Sequence, residues 1–172
     1  MLHRNLKRTR LLIAVLILSS FVGCDQITKQ IATATLQNEP AQAYLNETIR
    51  LEYALNSGGF LSLGASLAPT TRSWIFIGLN TILLAAIAGF LLKRWNADFI
   101  VFASLCYILA GGIGNLIDRV VNSGLVIDFI NLGVGPVRTG IFNVADIGVT
   151  FGAVALMVFS RRSLAVSPEK GS

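Results

Sequence analysis

The chain has 172 residues, of which 53% are apolar and only 13% charged, and its mean hydropathy is +0.67. Soluble domains carry about 25% charged residues, so this composition excludes an ordinary soluble fold and points to one membrane domain. The net charge of +5 does not indicate a nucleic-acid partner, because the basic residues flank apolar runs and form no stripe with interleaved aromatics.

Arg4, Lys7, Arg8 and Arg10 open the chain and an apolar run follows from Leu11 to Gly23. That run reaches the ~20 residues of a bilayer crossing only if the helix continues through Asp25-Gln26-Ile27-Thr28-Lys29, which predicts a first span over 10–29. Cys24 allows another reading: a basic stretch, an apolar stretch and Gly-Cys resemble a leader ending at a lipidated cysteine. Phe21, where such a leader wants an aliphatic residue, and the spans downstream oppose it. Next, in "TIRLEYALN", Ile49, Leu51, Tyr53 and Leu55 alternate with more polar residues, the period of a half-buried strand. "NSGGF" supplies a turn, so a small β-rich segment is expected over 38–72.

Apolar runs at 74–92 and 99–117 predict two further spans, separated by Lys93 and Arg94, with Trp95 and Asp98 as interface anchors. Gly111, Gly112, Gly114 and the Gly148-x-x-x-Gly152 pair are expected to serve close helix packing. A loop over 118–140 leads to a fourth span at 141–160, followed by Arg161, Arg162 and Lys170. Nine of the 14 Lys and Arg residues fall on the side of the termini, which the positive-inside rule assigns to the cytoplasm. The expected architecture is therefore an all-α bundle of four transmembrane helices in one domain, 1–172. A β-rich element on its outer face completes it.

Two aspartates sit in strongly apolar surroundings, Asp128 within "VIDFI" and Asp146 within "IFNVAD". A span beginning at 141 puts Asp146 about 7–8 Å inside the helix start, and the loop returns Asp128 to the same end. Ionised carboxylates at that depth are costly and usually functional. Asn115 lies three residues before Asp118 and four before Arg119, on one helix side, and Asn143 precedes Asp146 by three. Asp118 beside Arg119 reads as an interfacial ion pair, and Asp25 and Lys29 mark the outer end of the first span.

The reactive inventory is short. His3 is the single histidine, and Cys24 and Cys106 have no metal-binding spacing, so no metal or cofactor is expected. Two carboxylates held close share a proton, leaving one as acid and the other as base. That arrangement can hydrolyse a peptide bond by the aspartic-protease route. A small ion- or proton-coupled transporter using the same two aspartates is the alternative. It would want acidic groups on both halves of the membrane and an inverted repeat, and neither is visible.

Five motifs in order, "DQITK" at Asp25, "NSGGF" at Asn56, "GGIGNLIDR" at Gly111, "VIDFI" at Val126 and "FNVAD" at Phe142, resemble the lipoprotein signal peptidases (signal peptidase II). These are four-span aspartic peptidases of bacterial membranes. The resemblance implies that Asp128 and Asp146 are a catalytic dyad, and that Asn56, Asn115, Arg119, Asn143 and Asp25 position substrate or brace that dyad. It also implies a prolipoprotein substrate carrying diacylglycerol on its lipobox cysteine, cleaved on the N-terminal side of that cysteine. Location in the bacterial cytoplasmic (inner) membrane, contact with membrane lipids, no nucleic acid and action as a monomer complete the expectation.

Overall fold

The computed structural model describes residues 2–58 and 68–165. Its elements follow in the order α1 Leu2–Leu36, β1 Gln42–Tyr44, β2 Ile49–Asn56, α2 Pro69–Lys93, α3 Phe99–Val121, β3 Val126–Val134, β4 Val137–Arg138 and α4 Val144–Ala165. Residues Leu6–Leu36 of α1, together with α2 and α3, are long and apolar enough to cross a bilayer. The apolar stretch of α4, Val144–Phe159, is shorter. Leu12, Leu16, Trp74, Ile82, Leu92, Phe151 and Met157 are exposed on the outside of the helices. Hydrocarbon tolerates such faces because a helix satisfies its own backbone polar groups. This is a membrane protein.

Helix α3 forms the centre. Its Phe102, Leu105, Cys106 and Leu109 are buried with Ala14 of α1 and with Leu84 and Leu91 of α2. Small residues bring α4 to backbone distance of α3, and a Cβ on Gly111 would collide with the Ala145 carbonyl. At the opposite end Arg10 donates to the Trp95 carbonyl and lies 5.2 Å from the Phe102 ring centroid. The basic start of α1 therefore sits beside the α2–α3 turn. Asp98 has a more specific part there than interface anchor: its carboxylate caps α3 by accepting from the Ile100 N–H at 2.8 Å.

Three boundaries differ from expectation, each for a physical reason. Helix α1 runs 35 residues, about 52 Å, well past residue 29. Its last turns bury Ala32 and Leu36 against Phe129 of β3, with Leu51, Tyr53 and Ile130 packed around them. The loop after the third span is a hairpin: β3 and β4 join β1 and β2 in one antiparallel sheet ordered β1-β2-β3-β4. Helix α4 starts at Val144 rather than 141, because Phe142 is held to Ile130 of β3 by a β-bridge. Asp146 thus lies in the first turn of α4, about 3 Å from its start.

Candidate active site

Asp128 is carried by β3 and is 2% exposed. The opposing strand β2 pairs in regular register up to Leu51, then shifts before Ala54 and resumes with Ala54 opposite Asp128 and Asn56 opposite Val126. Such an irregularity re-aims side chains, and here it brings Asn56 Nδ2 to 2.9 Å from Asp128 Oδ2. The Asn56 oxygen accepts the Gly58 N–H at 2.8 Å, which fixes the amide so that its nitrogen faces the carboxylate. Gly59 and Phe60 of the same motif lie outside the described residues.

Asp146 is positioned by a reciprocal cap. The Asn143 side-chain oxygen accepts the Asp146 N–H at 3.0 Å, and Asp146 Oδ2 accepts the Asn143 N–H at 3.2 Å. This is the N-cap to N3 exchange of a capping box. Asn143 therefore stands at the helix entrance and not on its flank. From there its Nδ2 reaches Asp128 Oδ1 at 2.6 Å. A single asparagine thus bridges both carboxylates, while Asn115 of α3 donates to Asp146 Oδ1 at 2.8 Å. The four oxygens of the two aspartates each accept a hydrogen bond, three of them from amide side chains.

Burial pushes the Asp128 carboxyl up to about 6, with the Asp146 charge adding to the rise. The bonds from Asn56 and Asn143 and the Lys29 charge pull the other way. A carboxyl raised in the folded state binds more protons folded than unfolded. Its contribution to stability is therefore lost as pH rises from 3.8 through about 6.

Beneath the pair lies a buried ionic cluster. Lys29, 1% exposed, contacts Asp25 Oδ2 at 2.8 Å, Asp118 Oδ2 at 3.0 Å and Asn115 Oδ1 at 3.1 Å. These contacts match the three donors of an ammonium. Asp25, 0% exposed, also accepts the Ala145 N–H at 2.8 Å, capping a second amide of α4. It braces the start of α4 from below. Asp118 accepts from Gln26 Nε2 at 3.0 Å and from the Ile127 N–H at 2.9 Å, tying α1 and β3 to α3. The expected Asp118–Arg119 pair is replaced by Asp118–Lys29, since neighbours in a helix do not share a face. Gly114 makes room for the cluster: a Cβ there would sit 2.5 Å from Asp25 Oδ2.

Arg119 turns the other way. Its Nη1 donates to the Asn115 carbonyl at 3.1 Å, and its buried Nε has no partner among the described residues. It borders a cavity of about 280 Å³ between α2, α3 and α4, lined by Phe76, Leu79 and Leu83 and reaching Asn115 and Asp146. A second cavity of about 650 Å³ lies across α4, walled by Ile141, Phe142, Ile147 and Phe151 and again touching Asp146. Asp146 therefore lies between two apolar hollows.

The expected residues Asp128, Asp146, Asn56, Asn115 and Asn143 come together in one hydrogen-bonded group, with Arg119 at its edge. Lys29, Asp118 and Gln26 were not expected in it. The Asp25 to Lys29 spacing of four was their readable signal.

Comparison with known proteins identifies the family. The model of the family described as signal peptidase (SPase) II matches residues 16–162. A lipoprotein signal peptidase of Sphingopyxis alaskensis is 42% identical over 135 residues, spanning 77% of this chain and 76% of its own. Another, from Chlorobium phaeobacteroides (strain BS1), is 36% identical over 149 residues, spanning 80% and 89%. A bacterial membrane enzyme solved by the in meso method at 2.3 Å shares the fold, with a TM-score of 0.74 at 24% identity over 93% of this chain and 94% of its own. The family model matched over most of the chain and the 42% identical relative lead to one conclusion: the chain belongs to the signal peptidase II family.

Proposed function

We propose that this protein is a membrane-embedded aspartic endopeptidase that removes signal peptides from prolipoproteins bearing diacylglycerol on the lipobox cysteine. The supporting observation is Asn143, which holds Asp128 by its side chain and Asp146 by its backbone at the start of α4. On this reading α4 is the fourth crossing and both termini are cytoplasmic. The sheet rests on the outer face of the inner membrane, and the whole chain acts as one domain and as a monomer. The scissile bond of a lipid-tethered chain then lies at the depth of Asp146, with the apolar hollows on either side of α4 receiving acyl chains and signal peptide.

In the mechanism the pair holds one proton, and burial favours its residence on Asp128. Ionised Asp146 takes a proton from water as the water oxygen bonds to the scissile carbonyl carbon, and Asp128 gives its proton to the carbonyl oxygen. Collapse of the resulting diol breaks the C–N bond. The proton on Asp146 passes to the leaving amine, and one from the diol returns to Asp128. Arg119, whose buried Nε has no partner among the described residues, turns its guanidinium to backbone carbonyls of the substrate.

Purified protein is expected to cleave a diacylglyceryl-modified prolipoprotein on the N-terminal side of the modified cysteine and to leave the unmodified precursor intact. Equal cleavage of both, read by mass spectrometry of the products, would remove the lipid from the recognition. A pH dependence follows as well. Above about 6 the free enzyme loses the Asp128 proton, so kcat/KM falls on the alkaline side. Asn56 lowers that value by donating to the carboxylate. Asn56→Ala is therefore expected to move the alkaline limb of the kcat/KM profile upward, and a limb that stays or moves down contradicts the assignment.

A further inference from the structure

We infer that Lys29, which touches neither carboxylate of the pair, is a positioning residue for catalysis that acts through the Asn115 amide. The inference rests on the dyad reading above. The two ends of an amide side chain have nearly the same shape, so what they face decides their orientation. Asn115 Oδ1 meets the Lys29 ammonium at 3.1 Å and Asn143 Nδ2 at 3.1 Å, while its Nδ2 meets Asp146 Oδ1 at 2.8 Å. An ammonium can only donate. It therefore forces the oxygen of Asn115 toward itself and the N–H toward Asp146. A reversed amide would set a donor against two donors and an oxygen against a carboxylate.

The constraint is passed on. With the Asn115 oxygen fixed, Asn143 turns its Nδ2 toward that oxygen and toward Asp128 Oδ1, leaving its own oxygen for the Asp146 N–H. One buried charge on α1 thus sets the orientation of two amides, one donating to each carboxylate. Lys29 is locked in turn by Asp25 and Asp118 at 2.8 and 3.0 Å, so it cannot relax toward another acceptor. Packing alone does not call for this group. Buried ion pairs can commonly be replaced by apolar side chains of similar volume without loss of stability.

The test is the paired variant Lys29→Met with Asp118→Asn. It removes one positive and one negative charge and leaves the buried net charge at that of Asp25 alone, as in the native cluster. The purified variant, with Asp128→Asn and Asp146→Asn beside it, is assayed on a diacylglyceryl-modified prolipoprotein and by thermal unfolding in detergent. The expected result is a folded protein with KM near that of the parent and kcat lowered roughly 10²-fold, the scale of a misplaced reacting group. A paired variant that fails to fold, that turns over at the parental rate, or that loses only substrate affinity overturns the proposal. If instead the two aspartate variants still cleave, the dyad reading fails and the positioning role falls with it. Inactive aspartate variants beside a fully active paired variant would sink the positioning role alone.

Discussion

Replacing either Asp128 or Asp146 by Asn is expected to lower kcat/KM on a lipidated prolipoprotein at least about 10³-fold, the scale of losing acid–base assistance, while the fold survives. Asn cannot take a proton from water, nor carry the shared one. The substitution is nearly isosteric, so the hollows beside α4 keep their shape. At position 128 the buried charge is already disfavoured, and a neutral side chain relieves that cost. One of its two amide contacts, from Asn56 or Asn143, would be lost. At position 146 the oxygen can still accept from Asn115, and the cap from the Asn143 side chain to the 146 N–H is untouched. Cleavage kinetics and a thermal unfolding curve on the same preparations separate the two effects. Parental turnover by either variant would remove that residue from the reaction.

Asp25→Ala should give the largest loss of stability, about 2–4 kcal/mol, set by the buried donors it leaves without an acceptor and not by an unpaired charge, since Lys29 keeps Asp118 at 3.0 Å. Asp25 is fully buried and supports two things at once. Lys29 would lose its shortest ionic contact, and the Ala145 N–H in the first turn of α4 would lose its acceptor. An unsatisfied buried N–H alone costs about 1–3 kcal/mol, and the two losses share one site, so they do not simply add. Asp25→Asn retains an acceptor for Ala145 and should cost less. Equilibrium unfolding in detergent measures both, and a loss under about 1 kcal/mol for the alanine variant would show that the cluster does not hold the start of α4.

The helices were legible because hydrocarbon demands long apolar runs, and the runs at 74–92 and 99–117 lie inside α2 and α3. The end of α1 was not. Its last turns, from Gln30 to Leu36, mix small, polar and apolar residues with no long apolar run, and Ala32 and Leu36 pack on Phe129, a contact visible once the sheet exists. In β2 the alternation was plain. Strand β3 lacks it because both of its faces contribute buried residues, and the Gly135-Pro136 turn before β4 was the remaining signal. Within the site, Asp128, Asp146 and their asparagines stood out because polar groups are expensive in apolar surroundings. The spacing of Asn143 and Asp146 was visible, but a three-residue step fits a helix face as well as a capping box. Only the pairing of Phe142 with Ile130 decides between them. Lys29 was hidden for a simpler reason: a lysine near a span end normally reaches for water, and this one is turned inward by two acids from α1 and α3.

The most direct test of the central claim is a crystal structure with a diacylglyceryl-modified peptide in which a secondary alcohol replaces the scissile amide, mimicking the diol. The account predicts the hydroxyl oxygen within hydrogen-bond distance, about 3 Å, of a carboxylate oxygen of both Asp128 and Asp146. A hydroxyl seated away from the pair, or contacting only one of them, would contradict it.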